Sequence, residues 1–172
     1  RRDRGAAAAL LTERQLHAAR SLLIFSEMSM RDIALWGANG SLTDQDRTGM
    51  ITELKSYRDS IESSFNAQDE EGHYLFSGTK TDTPAINSAS GSYVIEGNSD
   101  KRVVTIAKGV TMDSNMTAKD ILDLGGGKNV LDQINNLITE FENPSPNFQA
   151  EVDASLSAID DTLASVLGTM TE

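Results

Sequence analysis

Cysteine is absent from all 172 residues, which excludes disulfides and thiolate metal sites and leaves the redox compartment open. Proline is scarce as well. The three are Pro84, Pro144 and Pro146, so nothing before position 84 forbids long helices. Aromatic residues make up 5%, with a single tryptophan, and any core must therefore be mostly aliphatic. Cations are outnumbered, 15 Lys and Arg against 26 Asp and Glu, for a net charge of −11. That balance argues against sequence-independent binding to nucleic acid or to an anionic membrane, both of which need a cationic face. No apolar run approaches the roughly 18 residues of a membrane span; near the start the longest are Ala6 to Leu11 and Leu22 to Phe25. Arg1, Arg2 and Arg4 make a basic beginning, but no apolar stretch with a small-residue cleavage site follows in order, so no signal peptide is expected.

What is present is unevenly spread. Residues 1–36 carry six Arg and four acids, whereas residues 119–172 carry two cations and ten acids. Eight of the thirteen glycines fall between Gly72 and Gly127. From about Ala6 to Trp36 apolar residues recur at helical spacing (Leu16, Ala19, Leu23, Met30 and Ile33), with Leu22 and Phe25 widening the face. A helix of about 30 residues would be roughly 45 Å long. Gly37-Ala38-Asn39-Gly40 is expected to stop it, because Gly and Asn accept the left-handed conformation at a helix C-terminus. Thr43 with Asp46 resembles a capping box, with Asp44 favourable in the first turn, and Met50, Leu54, Tyr57, Ile61, Phe65 and Gln68 then step by three or four until Gly72.

The period then changes. Tyr74-Leu75-Phe76 is a short candidate strand, and 92–96 and 102–106 flank the turn-rich Gly97-Asn98-Ser99-Asp100, which predicts a hairpin. Val110-Thr111-Met112 adds a possible third strand past Lys108-Gly109. Thr117 with Asp120 opens a helix that breaks at Gly125-Gly126-Gly127 and resumes with Val130, Leu131, Ile134, Leu137, Ile138 and Phe141, to be ended by Pro144 and Pro146. The last segment has the cleanest period: Val152, Leu156, Ile159, Leu163, Val166 and Met170. The fold class that follows is α+β, an elongated antiparallel helical bundle (a rod) with a small β-rich domain inserted. Its parts are two helices joined by a loop at 37–43 (1–72), an outer β-rich domain (73–117), and a short helix leading to a long return helix (118–172). Helix-like sequence at both ends leads to the expectation that the chain is cut from a longer coiled coil or a fibrous assembly.

Catalytic chemistry is thinly represented. His17 has Arg14 and Arg20 on either side of it on the helix, His73 follows closely on Glu70 and Glu71, and neither has a second His at metal-ligand spacing. Gly125-Gly126-Gly127-Lys128 lacks both the spacer and the Ser or Thr of a phosphate loop. The carboxylate pairs Asp44/Asp46, Glu70-Glu71 and Asp160-Asp161 fit solvated helix faces and helix N-termini. No catalytic, cofactor-binding or metal-binding residue is assigned, and no enzyme is expected.

Two stretches carry a specific resemblance. Residues 30–47, with Arg31-Asp32-Ile33-Ala34 before Ala38-Asn39-Gly40 and the acidic start Thr43-Asp44-Gln45-Asp46-Arg47, resemble the helix–loop–helix signature of the flagellin superfamily. Gly72-His73-Tyr74-Leu75-Phe76-Ser77-Gly78-Thr79-Lys80-Thr81-Asp82-Thr83-Pro84 resembles the signature of that superfamily's hook–filament junction branch, where flagellin itself usually has a Phe-Asn-Gly hairpin. Together with the β stretch and final helix, the likeness covers roughly residues 20–172.

The resemblance implies a structural protein of the bacterial flagellum, extracellular and exported by the flagellar type III system. Its partners would be neighbouring copies of itself in a ring, the hook-side junction protein and flagellin, with an export chaperone for the full-length protein and no cofactor, nucleic acid or membrane. It further implies that the terminal helices driving assembly are missing here, so that this segment by itself is monomeric. Arg31, Asn39, Gly40, Leu42, Asp44 and Arg47 become subunit-contact candidates, and Tyr74, Phe76, Gly78 and Pro84 candidates for a hinge into the outer domain. The alternatives are a minor filament flagellin and a non-flagellar helical adaptor.

Overall fold

A computed structural model describes residues 2–101, 103–107, 110–113 and 116–169. The first helix, α1, runs over Arg2–Gly37. Leu16, Ala19, Leu23, Met30 and Ile33 lie on its buried face, as the periodicity predicts. Phe25 departs from it. Standing two residues, or about 200°, past Leu23, it is 61% exposed and meets Tyr57 edge-on. The second helix, α2 (Asp44–Phe65), begins on the expected capping box: Thr43 Oγ1 accepts from Asp46 N at 3.0 Å, and Thr43 N donates to Asp46 Oδ2 at 3.2 Å.

Helix α2 ends at Phe65, seven residues before the glycine expected to stop it. Asn66 is the reason. Its Nδ2 donates to Ile86 O at 2.9 Å and its Oδ1 accepts from Ile86 N at 2.8 Å, so the side chain acts as a strand partner and turns the chain off the helix axis.

Among the described residues the strands form three separate antiparallel pairs. Strands β1 (Ile86–Asn87) and β2 (Val94–Ile95) pair as Ile86↔Ile95 and Asn87↔Val94. Strands β3 (Val103–Ala107) and β4 (Val110–Asp113) pair from Val103↔Asp113 to Ala107↔Val110. The expected hairpin between 92–96 and 102–106 does not form, because its turn is used otherwise. Asn98 N donates to Ser77 O at 3.1 Å and Asn98 Oδ1 accepts from Thr79 N at 3.0 Å, docking 97–100 on the 77–79 turn. The third strand at Val110 does form, with β3 as partner; Arg102, expected to open its strand, and Lys108-Gly109, the expected connection, lie outside the described residues. Tyr74-Leu75-Phe76 is no strand either: only an isolated bridge joins Tyr74 to Gln68, while Leu75 and Phe76 are buried.

Helix α3 (Ala118–Leu122) is capped by Thr117, whose side chain accepts from Asp120 N at 3.1 Å. A small hairpin of β5 (Asp123–Gly125) and β6 (Lys128–Asn129) then fills the expected helix break. Its three glycines all have positive φ, from 61° to 84°, which side chains rarely adopt. Asn129 caps α4 (Val130–Glu142), and α5 (Phe148–Gly168) returns along the bundle. In α5 Val152, Ile159 and Val166 are buried, Leu156 and Leu163 half-buried, and Met170 lies outside the described residues.

Helix α1 packs on α2 and α5, and α4 packs on the same two from the other side. Their buried stripes form one apolar cluster, which also takes in Phe76, Ile86, Tyr93 and Ile95. Residues 86–96 are held to α4 by polar contacts as well: Tyr93 N donates to Asp132 Oδ1 at 2.8 Å, and Asn129 Nδ2 donates to Tyr93 O at 2.8 Å.

Candidate functional site

At one end of the helical bundle α1 gives way to α2 through six residues. The stop is not a left-handed cap. Neither Gly37 nor Gly40 has a positive φ, and no other residue type does among the described residues. Gly37 is still helical, and its missing side chain serves packing, because a Cβ there would collide with the Phe141 ring of α4. The loop closes on its own backbone instead. Asn39 N donates to Trp36 O at 3.0 Å, and Ser41 Oγ donates to Asn39 Oδ1 at 3.2 Å.

Five sequence candidates meet here. Asn39, Gly40, Leu42 and Arg47 line a shallow pocket of about 160 Å3, together with Gly37, Pro144 and Phe148. Asp44 is joined to them by the ion pair it makes with Arg47. Asn39, Gly40 and Asp44 are exposed, while Leu42 and Arg47 are half-buried. Phe148 stacks on Phe141, with ring centres 5.8 Å apart, which sets the pocket floor on the bundle core. The result is a small concave patch, mostly apolar, with one guanidinium at its rim.

Arg31 is not part of this patch. It lies nearly two turns up α1, where its Nε donates to Asp160 Oδ1 of α5 at 2.8 Å. Two residues of the patch have no mark of this role in the sequence. Pro144 reads there only as a helix stop and Phe148 as an ordinary apolar residue, and both lie about a hundred positions from the loop they meet.

The hinge candidates gather where the chain leaves α2. Phe76 is fully buried against Phe65, with centroids 4.8 Å apart, and its carbonyl accepts from Ala118 N at 2.9 Å. Tyr74 N donates to Thr81 O at 2.8 Å. Gly78, with φ of 65°, is pressed so closely on Asn98 that any side chain would overlap it, and Pro84 is half-buried. Outgoing and returning strands of chain are thus cross-tied at 76 and 118. His17 lies near Glu13, and His73, which precedes Tyr74 in the chain, lies near Asp69 and Glu71.

No family model matches the chain. It is similar to flagellar hook-associated protein 3 of Escherichia coli (strain K12), 24% identical over 138 residues that cover 74% of this chain and 44% of that protein. The chain therefore spans less than half the length of the curated relatives it matches. Among solved structures, a flagellar hook-associated protein from Vibrio parahaemolyticus is 73% identical, with a TM-score of 0.84 over 98% of this chain and 75% of that one. The flagellar junction protein FlgL from Legionella pneumophila, at 15% identity, shares the fold with a TM-score of 0.70, covering 99% of this chain and 90% of its own.

Proposed function

Because the chain belongs to the flagellar hook-associated protein 3 family, we propose that it is the central portion of a structural protein that joins the flagellar hook to the filament. Membership puts it among flagellar components. The full-length protein is extracellular, travels through the flagellar type III system with an export chaperone, and stands in a ring of its own copies between the hook-side junction protein and flagellin. The observation that carries this reading is 73% identity across 98% of the chain to a flagellar hook-associated protein.

Within that role Asn39, Gly40, Leu42, Asp44 and Arg47 form a subunit contact at one end of the rod, supported by their convergence on one concave patch. Arg31 acts at a distance from it, by holding α1 to α5. Tyr74, Phe76, Gly78 and Pro84 make the elbow from the rod into an outer region (73–117).

Electron microscopy of cells lacking the full-length protein tests the role. Their hooks should carry no filament, and the intact protein supplied in trans should restore it. Restoration should fall with Leu42→Asp, although the isolated chain folds normally. Long filaments grown from the purified full-length protein alone would refute the junction role in favour of a filament flagellin.

A further inference from the structure

Ten asparagines are present, and Asn39 alone is followed by glycine. The pair sits in the six-residue link between α1 and α2, and both residues are exposed. In such a pair the side-chain amide is least shielded from the next backbone nitrogen, because glycine has no Cβ to block the approach.

The loop leaves the reacting atoms free and fixes what surrounds them. Asn39 N donates to Trp36 O at 3.0 Å, and Ser41 N donates to Asn39 O at 2.6 Å, so the backbone is held on either side. Among the described residues the Asn39 side chain makes one hydrogen bond, through Oδ1, which accepts from Ser41 Oγ at 3.2 Å. Neither Asn39 Nδ2 nor the N–H of Gly40 has a partner among them. The Ser41 hydroxyl is aimed at the oxygen on which negative charge gathers when Cγ is attacked, the place of a donor in an oxyanion hole.

The two asparagines followed by serine are tied down instead. Asn98 Nδ2 donates to Thr79 Oγ1 at 2.8 Å, and its Oδ1 accepts from Thr79 N and Asp100 N. Asn87 Nδ2 donates to Glu96 Oε1 at 3.4 Å, and its Oδ1 accepts from Ala89 N at 2.9 Å.

We infer that Asn39 is a site of spontaneous modification, converting to aspartate and isoaspartate. Gly40 N gives up its proton to solvent hydroxide and attacks Asn39 Cγ, an intramolecular step that needs no encounter. The new N–C bond closes a cyclic imide as the Cγ–Nδ2 bond breaks, and Nδ2 takes a proton from water and leaves as ammonia. Water then opens the imide. Attack at Cγ gives aspartate, and attack at the main-chain carbonyl carbon gives isoaspartate, with the backbone running through Cγ. Either product puts a carboxylate on the pocket that Arg47 also lines. The reaction needs only the loop's own geometry, whether or not the patch is a subunit contact.

Incubating the chain at mildly alkaline pH, with tryptic digestion and mass spectrometry at intervals, follows the peptide 32–47, in which Asn39 is the one asparagine. An isoaspartate-specific carboxyl methyltransferase with labelled methyl donor reports the isoaspartate formed. In the folded chain Asn39 should convert several-fold faster than Asn87 or Asn98, and methyl label should enter the peptide 32–47. Gly40→Ala should slow the conversion several-fold in a chain that folds as before, because a Cβ at that position meets no atom within 4 Å and its φ is not positive. Ser41→Ala should slow it a few-fold, with unchanged circular dichroism. Unfolding in urea should free Asn98 and narrow the gap between the two sites. Conversion of Asn39 no faster than that of Asn98 in the folded chain, or a rate that Gly40→Ala does not move, overturns the assignment; a rate unmoved by Ser41→Ala overturns the part given to the hydroxyl.

Discussion

The ring of Phe141 occupies the space in which a side chain on Gly37 would stand. This close approach lets the last turn of α1 press against α4, and it sets the floor of the loop patch through the Phe141–Phe148 stack. Gly37→Ala should therefore destabilise the chain by about 1–3 kcal/mol, the usual cost of overpacking a tight core. Urea unfolding measures it. Pairing the change with Phe141→Leu should recover part of the loss, because the two residues share one volume; strictly additive losses would show that the contact is not the cause.

Glu27 should make stability fall as pH rises. It is fully buried on α1, neither carboxylate oxygen has a hydrogen-bond partner, and burial pushes its carboxyl well above the ordinary glutamate range. The folded protein thus holds this proton more tightly than the unfolded chain does. The stabilising contribution is complete below the unfolded-state value and is lost as pH climbs through the folded-state value. Glu27→Leu should raise the urea midpoint at neutral pH and flatten its dependence on pH over that window. An unchanged pH profile in the variant would show that Glu27 is not the group responsible.

Ile159 and Leu156, equivalent by sequence period, should not respond equally. Ile159 is fully buried, while Leu156 is only half-buried beside the core. Ile159→Asp would bury an unpaired carboxylate, costing roughly 4 kcal/mol or more, whereas Leu156→Asp should cost about 1–2 kcal/mol. Circular dichroism during thermal unfolding separates them, and equal losses would contradict the packing.

Replacing residues 85–113 with a short Gly-rich linker tests the proposed division into rod and outer region. The helical transition should remain cooperative, and it should move to lower denaturant, because Ile86, Tyr93 and Ile95 share the core of the helices. Loss of the transition would mean that the rod cannot fold without the outer region.

The helices were largely legible from residue order, because amphipathic spacing and capping are local. The buried stripe of α1, the capping box at Thr43 and the six apolar positions of α4 needed no knowledge of what lay opposite. The family likeness was legible too, through two short motifs. The strand pairs were less so. The hairpin signal at 97–100 is a real turn, but Asn98 spends its polar groups on Ser77 and Thr79, a partner about twenty residues away. Asn66 likewise ended α2 by bonding Ile86, which no helix pattern reports.

For the candidate site the division is the same. Sequence brought forward Asn39, Gly40, Leu42, Asp44 and Arg47, all within one loop and the turn after it. Only the tertiary structure added Pro144 and Phe148 to them, and only it removed Arg31 to a pair with Asp160. Local hydrogen bonding and side-chain period act within a few residues, so sequence determined the elements and their caps. Which elements meet, and whether a glycine serves a turn or a close contact, depends on surfaces distant along the chain, and that was settled by packing alone.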